Sequence, residues 1–331
     1  MKCLQGAEIV DHLALSFRHG GILFKASGPT AEGTRMSDLS PSALADHKLL
    51  SFDQAEARSK FRREPFRLTH TLADNPLFTL DALADLAERL PGDVAEHNLG
   101  NVGAVEPGGE VPKLDQPIAE VIRGIETNGC WAALPIILQQ PKLSGIPKYQ
   151  EVFDEVMDEL APIVPGGRDA MSGFHSVIFL ATAGSTTPSH IDGEIGFLLH
   201  IRGEKRVSIG RFPDDARERE ESEAFYSNAH RNTGQLPADP VNFDLEPGQG
   251  VHVPPLKPHW VENGPEVAIS LSVGFQTPEN IQRAGVHMWN ARVRRLGLTP
   301  KPYGTDPRRD RVKAAALWKV VDARRRIKGR G

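Results

Sequence analysis

The stretch Thr187-Pro188-Ser189-His190-Ile191-Asp192-Gly193-Glu194-Ile195-Gly196-Phe197-Leu198-Leu199-His200-Ile201, continued by Arg202-Gly203-Glu204-Lys205-Arg206, decides the fold. His190 and Asp192 stand two apart beside an apolar run of strand length. Successive strand residues face opposite sides, so an i, i+2 pair presents both side chains to the same space. An imidazole and a carboxylate offered together suit a divalent cation. Two histidines and one carboxylate with open positions select non-heme Fe(II). The second histidine must then come from a distant strand. His259, in Val253-Pro254-Pro255-Leu256-Lys257-Pro258-His259-Trp260-Val261-Glu262-Asn263, is the candidate.

Outward from this stretch, the chain between Phe174 and Phe275 reads as short strands separated by turns. They are expected at 174–182, 195–201, 205–210, 241–245, 250–253, 260–263 and 267–275. Many short strands with Gly and Pro turns indicate a sandwich or barrel, and a jelly roll gathers strand ends around a central cavity. The insert Pro213–Gln235 interrupts them, and its run Asp214–Glu223 carries both signs of charge, which predicts a solvated helix.

The flanks are helical in pattern. Thr79 can cap a helix with Leu83, Leu86 and Leu90 on one face. Ile118, Val121, Ile122 and Ile125 recur at helical spacing after Pro117, and Tyr149 to Leu160 carry a strong apolar stripe. Cys130–Leu138 reads as a buried strand interrupted by Pro135. Residues 1–65 are poorly patterned, with short strands expected at Ile9-Val10 and Ile22–Phe24 and a loop at Gly28–Pro41. Beyond Thr277-Pro278 come two helices, the second over Arg308–Arg326 with Ala314, Leu317, Trp318 and Val321 on its apolar face.

Composition narrows the class. With 39 Lys and Arg against 43 Asp and Glu, the field of the whole protein favours no polyanionic partner. Two cysteines, Cys3 and Cys130, are too few for a disulfide framework and fit a reducing compartment. Glu8 and Asp11 precede any apolar run, unlike a signal peptide, and no apolar stretch is long enough to cross a membrane. The expectation is a soluble, cytoplasmic protein. The basic run Arg324-Arg325-Arg326-Ile327-Lys328 suits a helix C-terminus, whose partial negative charge attracts cations. It lacks the interleaved aromatics of a nucleic-acid site, so no nucleic-acid partner is expected.

Three further features sharpen the metal reading. Thr187 lies three residues before His190, Lys205 fifteen after it, and Gly248-Gln249-Gly250 leads a strand into Pro254 ahead of His259. With these elements in this order, residues 170–276 resemble the JmjC and cupin-like (Cupin_8-type) Fe(II)- and 2-oxoglutarate-dependent oxygenases. The likeness is to the branch containing the asparaginyl hydroxylase of hypoxia-inducible factor. The resemblance implies Fe(II) held by His190, Asp192 and His259. It implies Lys205 on the distal carboxylate of 2-oxoglutarate, with the Thr187 hydroxyl assisting, and no catalytic side chain beyond the metal ligands. Members of that branch often carry asparagine where this chain has Gly196 and Gly274, a role open here to Ser270, Ser272 or Asn263. His175, His200 and His252 lie in apolar strands and read as core histidines.

The expected fold is mainly β. A double-stranded β-helix spans 168–276, a mixed α/β and helix-rich N-terminal region over 1–167 packs on it, and C-terminal helices follow over 277–331. The expected function is that of a 2-oxoglutarate-dependent dioxygenase, a hydroxylase acting on a protein or peptide side chain. By analogy the C-terminal helices pair two copies into a homodimer. The rival expectation is a metal-binding cupin that regulates or binds without 2-oxoglutarate turnover.

Overall fold

The computed structural model describes residues 48–91, 94–100, 103–105, 115–137 and 146–328. The strands expected at Ile9-Val10 and Ile22–Phe24 and the loop Gly28–Pro41 lie outside these residues.

Eight strands alternate between two antiparallel sheets, except that β8 and β9 follow one another in the same one: β5 (Ser172–Ala181), β6 (Thr186–His190), β7 (Ile195–Arg202), β8 (Lys205–Arg211), β9 (Ala238–Leu245), β10 (Gln249–Val253), β11 (His259–Asn263) and β12 (Ala268–Gln276). One sheet carries the order β10-β7-β12-β5 and the other β6-β11-β8-β9. That alternation is a double-stranded β-helix, a jelly roll whose two sheets face each other across a narrow interior. The N-terminal strands extend the larger sheet at both edges. β1 (Leu50–Ser51) and β2 (Arg67–His70) add beside β10, and β4 (Cys130–Ile137) and β3 (Glu96–Leu99) beside β5. Flanking strands therefore cover both edges of the jelly roll's larger sheet, which would otherwise be free to pair with other chains. Pro135 lies within β4 and the ladder to β5 shifts register there, the kind of irregularity a strand proline needs.

The two faces of the larger sheet carry different chemistry. Phe197, Leu199, Leu271 and Val273 point outward into the main core. There they meet α2 (Leu80–Arg89), α3 (Ile118–Arg123) and α4 (Pro147–Leu160) through Leu83, Leu86, Val121, Ile122, Val156 and Met157. Each such fully buried side chain contributes about 1.5–3 kcal/mol, so this layer clamps the sheet from outside. The alternate residues Gly196, Leu198 and His200 on β7, and Ser270, Ser272 and Gly274 on β12, face the interior. The interior's own apolar lining is small: Val207, Ile209, Phe243, Leu245, Val251, Val253 and Val261. Outside the sheets, α1 (Gln54–Lys60) precedes β2, and α5 (Asp215–Phe225) lies in the insert. After β12 come α6 (Pro278–Arg295) and α7 (Pro307–Lys328).

The insert differs from the solvated helix its charge pattern suggests. Glu221, Ser222, Glu223 and Phe225 are buried. Glu221 pairs with Arg217 at 2.6 Å and His230 at 2.7 Å, while Glu223 pairs with Arg294 of α6 at 2.9 Å. Charges that pair with one another and with a neighbouring helix can be buried at moderate cost. Hydropathy alone does not register that. Among the described residues no helix is long and apolar enough to cross a membrane.

The turn from β7 to β8 carries the chain from one sheet to the other in two residues. Gly203 adopts φ +81°, and a Cβ there would lie 2.6 Å from the Val267 carbonyl oxygen. Both the positive φ and the close approach require glycine. Gly203→Ala is expected to cost about 1–3 kcal/mol of stability, read as a lowered denaturation midpoint in urea.

Candidate metal centre

β6 and β11 are antiparallel neighbours, and His190 stands opposite His259 in their ladder. A bulge between His259 and Val261 sets three residues of β6 against two of β11, so Thr187 comes opposite Val261. In a regular strand Thr187 and His190 would face opposite sides. The extra residue turns both toward the interior. Asp192 lies two residues past the end of β6.

The ring orientations are fixed from behind. His190 Nδ1 donates to the Pro188 carbonyl at 2.7 Å and His259 Nδ1 to the Lys257 carbonyl at 2.9 Å. A carbonyl only accepts, so each ring carries its proton on Nδ1 and turns a bare Nε2 lone pair forward. Both Nε2 atoms face Asp192 Oδ2, at 3.6 Å and 3.5 Å. One donor atom from each of the three residues can be chosen so that all lie within 4.8 Å of one another. Adjacent ligands about 2.1 Å from an ion stand about 3 Å apart, so a small inward movement would complete such a set. The donors fit a divalent transition metal: two neutral imidazoles and one carboxylate on the same side.

Electrostatics favour the metal-ready protonation states. Burial, then Arg231 and His259, hold the His190 imidazolium down to about 4, so the ring is neutral at pH 7. Burial works against the Asp192 carboxylate, but the Arg231 guanidinium outweighs it and holds the group well below the usual carboxylate range. Arg231 is the functional neighbour that the sequence pattern misses. Its Nε and Nη2 both donate to Asp192 Oδ1, at 2.9 and 2.7 Å, leaving Oδ2 to the histidines. Thirty-nine residues separate the two, and only the return of the insert brings them together. That return is held by backbone bonds from Ile191 N to Arg231 O and from Thr233 N to Ser189 O.

Lys205 opens β8 and is buried. The β8–β11 ladder pairs Ile209 with His259 and Lys205 with Asn263, so Lys205 lies four residues deeper in the interior than the histidines. At about 3.3 Å per residue that is about 13 Å of strand. Its Nζ donates to Ser270 Oγ of the facing sheet at 2.7 Å, and no carboxylate among the described residues pairs with it. Burial pushes the ammonium down to about 7. Asn263 spends its amide NH2 on Ser185, leaving Oδ1 buried without a partner among the described residues.

The glycine departures have a local cause in one case. Val253, Gly196, Gly274 and His175 form one row across β10, β7, β12 and β5. A Cβ on Gly274 would lie 2.1 Å from His175 Cε1, so the imidazole occupies the space a side chain at 274 would need. His175 Nε2 then reaches Glu194 Oε1 at 3.3 Å, two residues beyond Asp192. Burial and the nearby Asp192 push the Glu194 carboxyl up. At Gly196 a Cβ would meet only ordinary contacts with Val253. His252, on the outer face of the larger sheet against Phe66 and Phe197, is satisfied by the Gly196 carbonyl and the Arg62 amide.

Loss of Arg231 should loosen the carboxylate without disturbing the two rings. Arg231→Leu is expected to weaken Co(II) binding about 10- to 100-fold, in titrations followed by the cobalt absorption bands.

Residues 167–283 match the family model of the JmjC domain. No curated protein matches the chain. Among solved structures, the X-ray structure of Escherichia coli YcfD aligns at 17% identity and a TM-score of 0.45, over 81% of this chain and 67% of that one. The E. coli ribosomal oxygenase YcfD in complex with cobalt and 2-oxoglutarate aligns at 16% identity and a TM-score of 0.42, over 81% and 66%. The chain therefore spans about two thirds of the length of these neighbours. A Bacillus subtilis oxalate decarboxylase aligns at 19% identity and a TM-score of 0.22, over 31% and 22%. The matched residues contain all eight jelly-roll strands and the start of α6.

Proposed function

We propose that this chain is an Fe(II)- and 2-oxoglutarate-dependent oxygenase, a hydroxylase acting on a protein or peptide side chain. One arrangement carries the reading: three convergent donors with a buried, unpaired cation four ladder residues behind them. His190, Asp192 and His259 would hold the metal. An iron so held would supply the coupled chemistry of a 2-oxo acid and dioxygen, oxidative decarboxylation to succinate and carbon dioxide with hydroxylation of a C–H bond.

The remaining tasks fall to this chain's own residues. Lys205 offers two free N–H groups in a desolvated setting, where a charge-assisted bond to a carboxylate is strongest. The depth between the His259 and Lys205 levels suits a five-carbon diacid with one end at the metal. Thr187, opposite Val261 in the β6–β11 ladder, would add a hydroxyl along that path. Arg231 holds Asp192 in its charged form and fixes which oxygen faces the rings. The membership of the asparaginyl-hydroxylase branch, a cytoplasmic location and pairing of copies through α6 and α7 belong to the same proposal. The exposed Val312 and Val320 of α7 support the last of these.

The test is anaerobic titration with Fe(II) and then 2-oxoglutarate, followed by succinate measurement once oxygen is admitted. A metal-to-ligand absorption band and succinate release are expected even without a substrate. Metal uptake with neither would leave a metal-binding cupin without turnover. His190→Ala should lose metal binding, read in the same titration.

Lys205 generates two further expectations. Its folded midpoint of about 7 lies below the ordinary 10.5, so the unfolded chain binds more protons between those values. Stability of the cosubstrate-free protein therefore rises as pH climbs from about 7 towards 10.5. Lys205→Met should remove this slope and stabilise that form at pH 7 by roughly 1–4 kcal/mol in denaturant titrations, while abolishing 2-oxoglutarate binding and sparing metal. An anion selects the protonated lysine, so 2-oxoglutarate affinity should fall by up to about tenfold per pH unit above 7. The neighbouring His200 and His70 are held to about 3 and about 4, so neither changes charge in that window.

A further inference from the structure

The Lys205 ammonium is held by a hydroxyl whose own direction is set by a third residue. His200 and Ser270 are cross-strand partners on β7 and β12, facing the interior. His200 Nε2 lies 2.9 Å from the Gly203 carbonyl oxygen, and His200 Nδ1 lies 3.0 Å from Ser270 Oγ. A carbonyl oxygen can only accept, so Nε2 carries the ring proton. The ring is fully buried, and burial with Lys205 beside it keeps it neutral, so Nδ1 presents a bare lone pair. The Ser270 hydroxyl must therefore donate to Nδ1, and its own lone pairs are left for Lys205 Nζ at 2.7 Å. Every link runs one way: Lys205 to Ser270 to His200 to the Gly203 carbonyl. The carbonyl at the end belongs to Gly203, whose positive φ requires glycine.

We propose that Ser270, aligned by His200, is the positioning residue of the cosubstrate pocket, fixing the Lys205 ammonium so that its two remaining N–H groups meet the far carboxylate of a 2-oxo diacid. This rests on the reading of the site as a 2-oxoglutarate pocket. It also assigns the polar role left open among Ser270, Ser272 and Asn263. Asn263 spends its amide hydrogens on Ser185, and the Ser272 carbonyl serves Ser176. Ser270 alone of the three has a hydrogen bond to Lys205. His200 acts only through Ser270. A 2-oxo monoacid such as pyruvate, which has no far carboxylate, lies outside the reach of the device.

The experiment uses the full chain loaded with Co(II) under anaerobic conditions, with 2-oxoglutarate and pyruvate titrated calorimetrically. Ser270→Ala should raise the Kd for 2-oxoglutarate about 10- to 30-fold, the effect of losing one hydrogen bond to a charged group, and leave pyruvate and Co(II) binding unchanged. Ser270→Thr keeps the hydroxyl and should stay within about threefold of the parent. His200→Leu should match Ser270→Ala, and the double variant should be no worse than either single one, because the residues act in series. His200→Asn restores an acceptor near the Nδ1 position and should recover part of the affinity. A merely structural serine would weaken both acids and the metal together, and that result would overturn the proposal. So would unchanged 2-oxoglutarate affinity in Ser270→Ala.

A second measurement separates failure of the wiring from failure of the site reading. The Lys205 titration, followed by carbon-13 NMR of labelled lysines, should move down in Ser270→Ala, because the ammonium loses its acceptor. If the parent binds neither acid, the dicarboxylate pocket falls. The wiring is then judged by this titration alone, and an unmoved midpoint overturns it.

Discussion

Everything at the metal centre depends on the pairing of β6 with β11. That pairing sets His190 directly across from His259, and each ring is then turned by the carbonyl two residues before it. Both anchoring segments contain proline, as Pro188-Ser189-His190 and Lys257-Pro258-His259. Proline fixes φ and removes a competing backbone donor. The local chain is stiff, and the ring has a ready acceptor for its Nδ1 proton. The two forward nitrogens thus need no rearrangement to present lone pairs, which is the preorganisation a metal site requires.

A different constraint governs the far end of the interior. A buried ammonium without a counter-charge is expensive, and here the cost appears as a lysine held near pH 7. The fold tolerates it through one hydroxyl and a heavily packed surrounding sheet. Such a group weakens the empty protein and strengthens a complex with an anion. It is a local conflict between stability and binding of the kind expected where a ligand belongs. The metal centre shows no such conflict, since Arg231 already compensates the Asp192 charge.

The jelly roll and the principal side chains were legible because they rest on local pattern. The i, i+2 relation of His190 and Asp192, strand-length apolar runs and Gly or Pro punctuation all survive in a single sequence. Seven of the eight jelly-roll strands could be placed within a few residues; β6 itself could not, because Thr187–His190 holds little apolar signal. The edge strands β1 and β3 were less visible, being short and completed only by pairing with distant partners. His200 read as a satisfied core histidine, and its two hydrogen bonds bear that out, but satisfaction did not reveal direction. That required knowing that one partner is a carbonyl and that the other also holds Lys205.

Arg231 shows why the insert was the hardest part to read. Its sequence offers a charged helix and a polar return, with nothing to single out one arginine among several. In the fold, Tyr226 at the end of α5 closes on the metal loop, where a Cβ on Gly193 would lie 2.9 Å from the phenol oxygen. The same helix is tied to α6 by Glu218–Arg283 and Glu223–Arg294. Asp192, Gly193 and Glu194 are thereby pressed between the jelly roll and a layer formed by the insert and the C-terminal helices. The orientation of the metal-facing carboxylate is consequently set by residues outside the strands that carry the ligands. The insert therefore completes the site's geometry, although it supplies none of the three donor atoms.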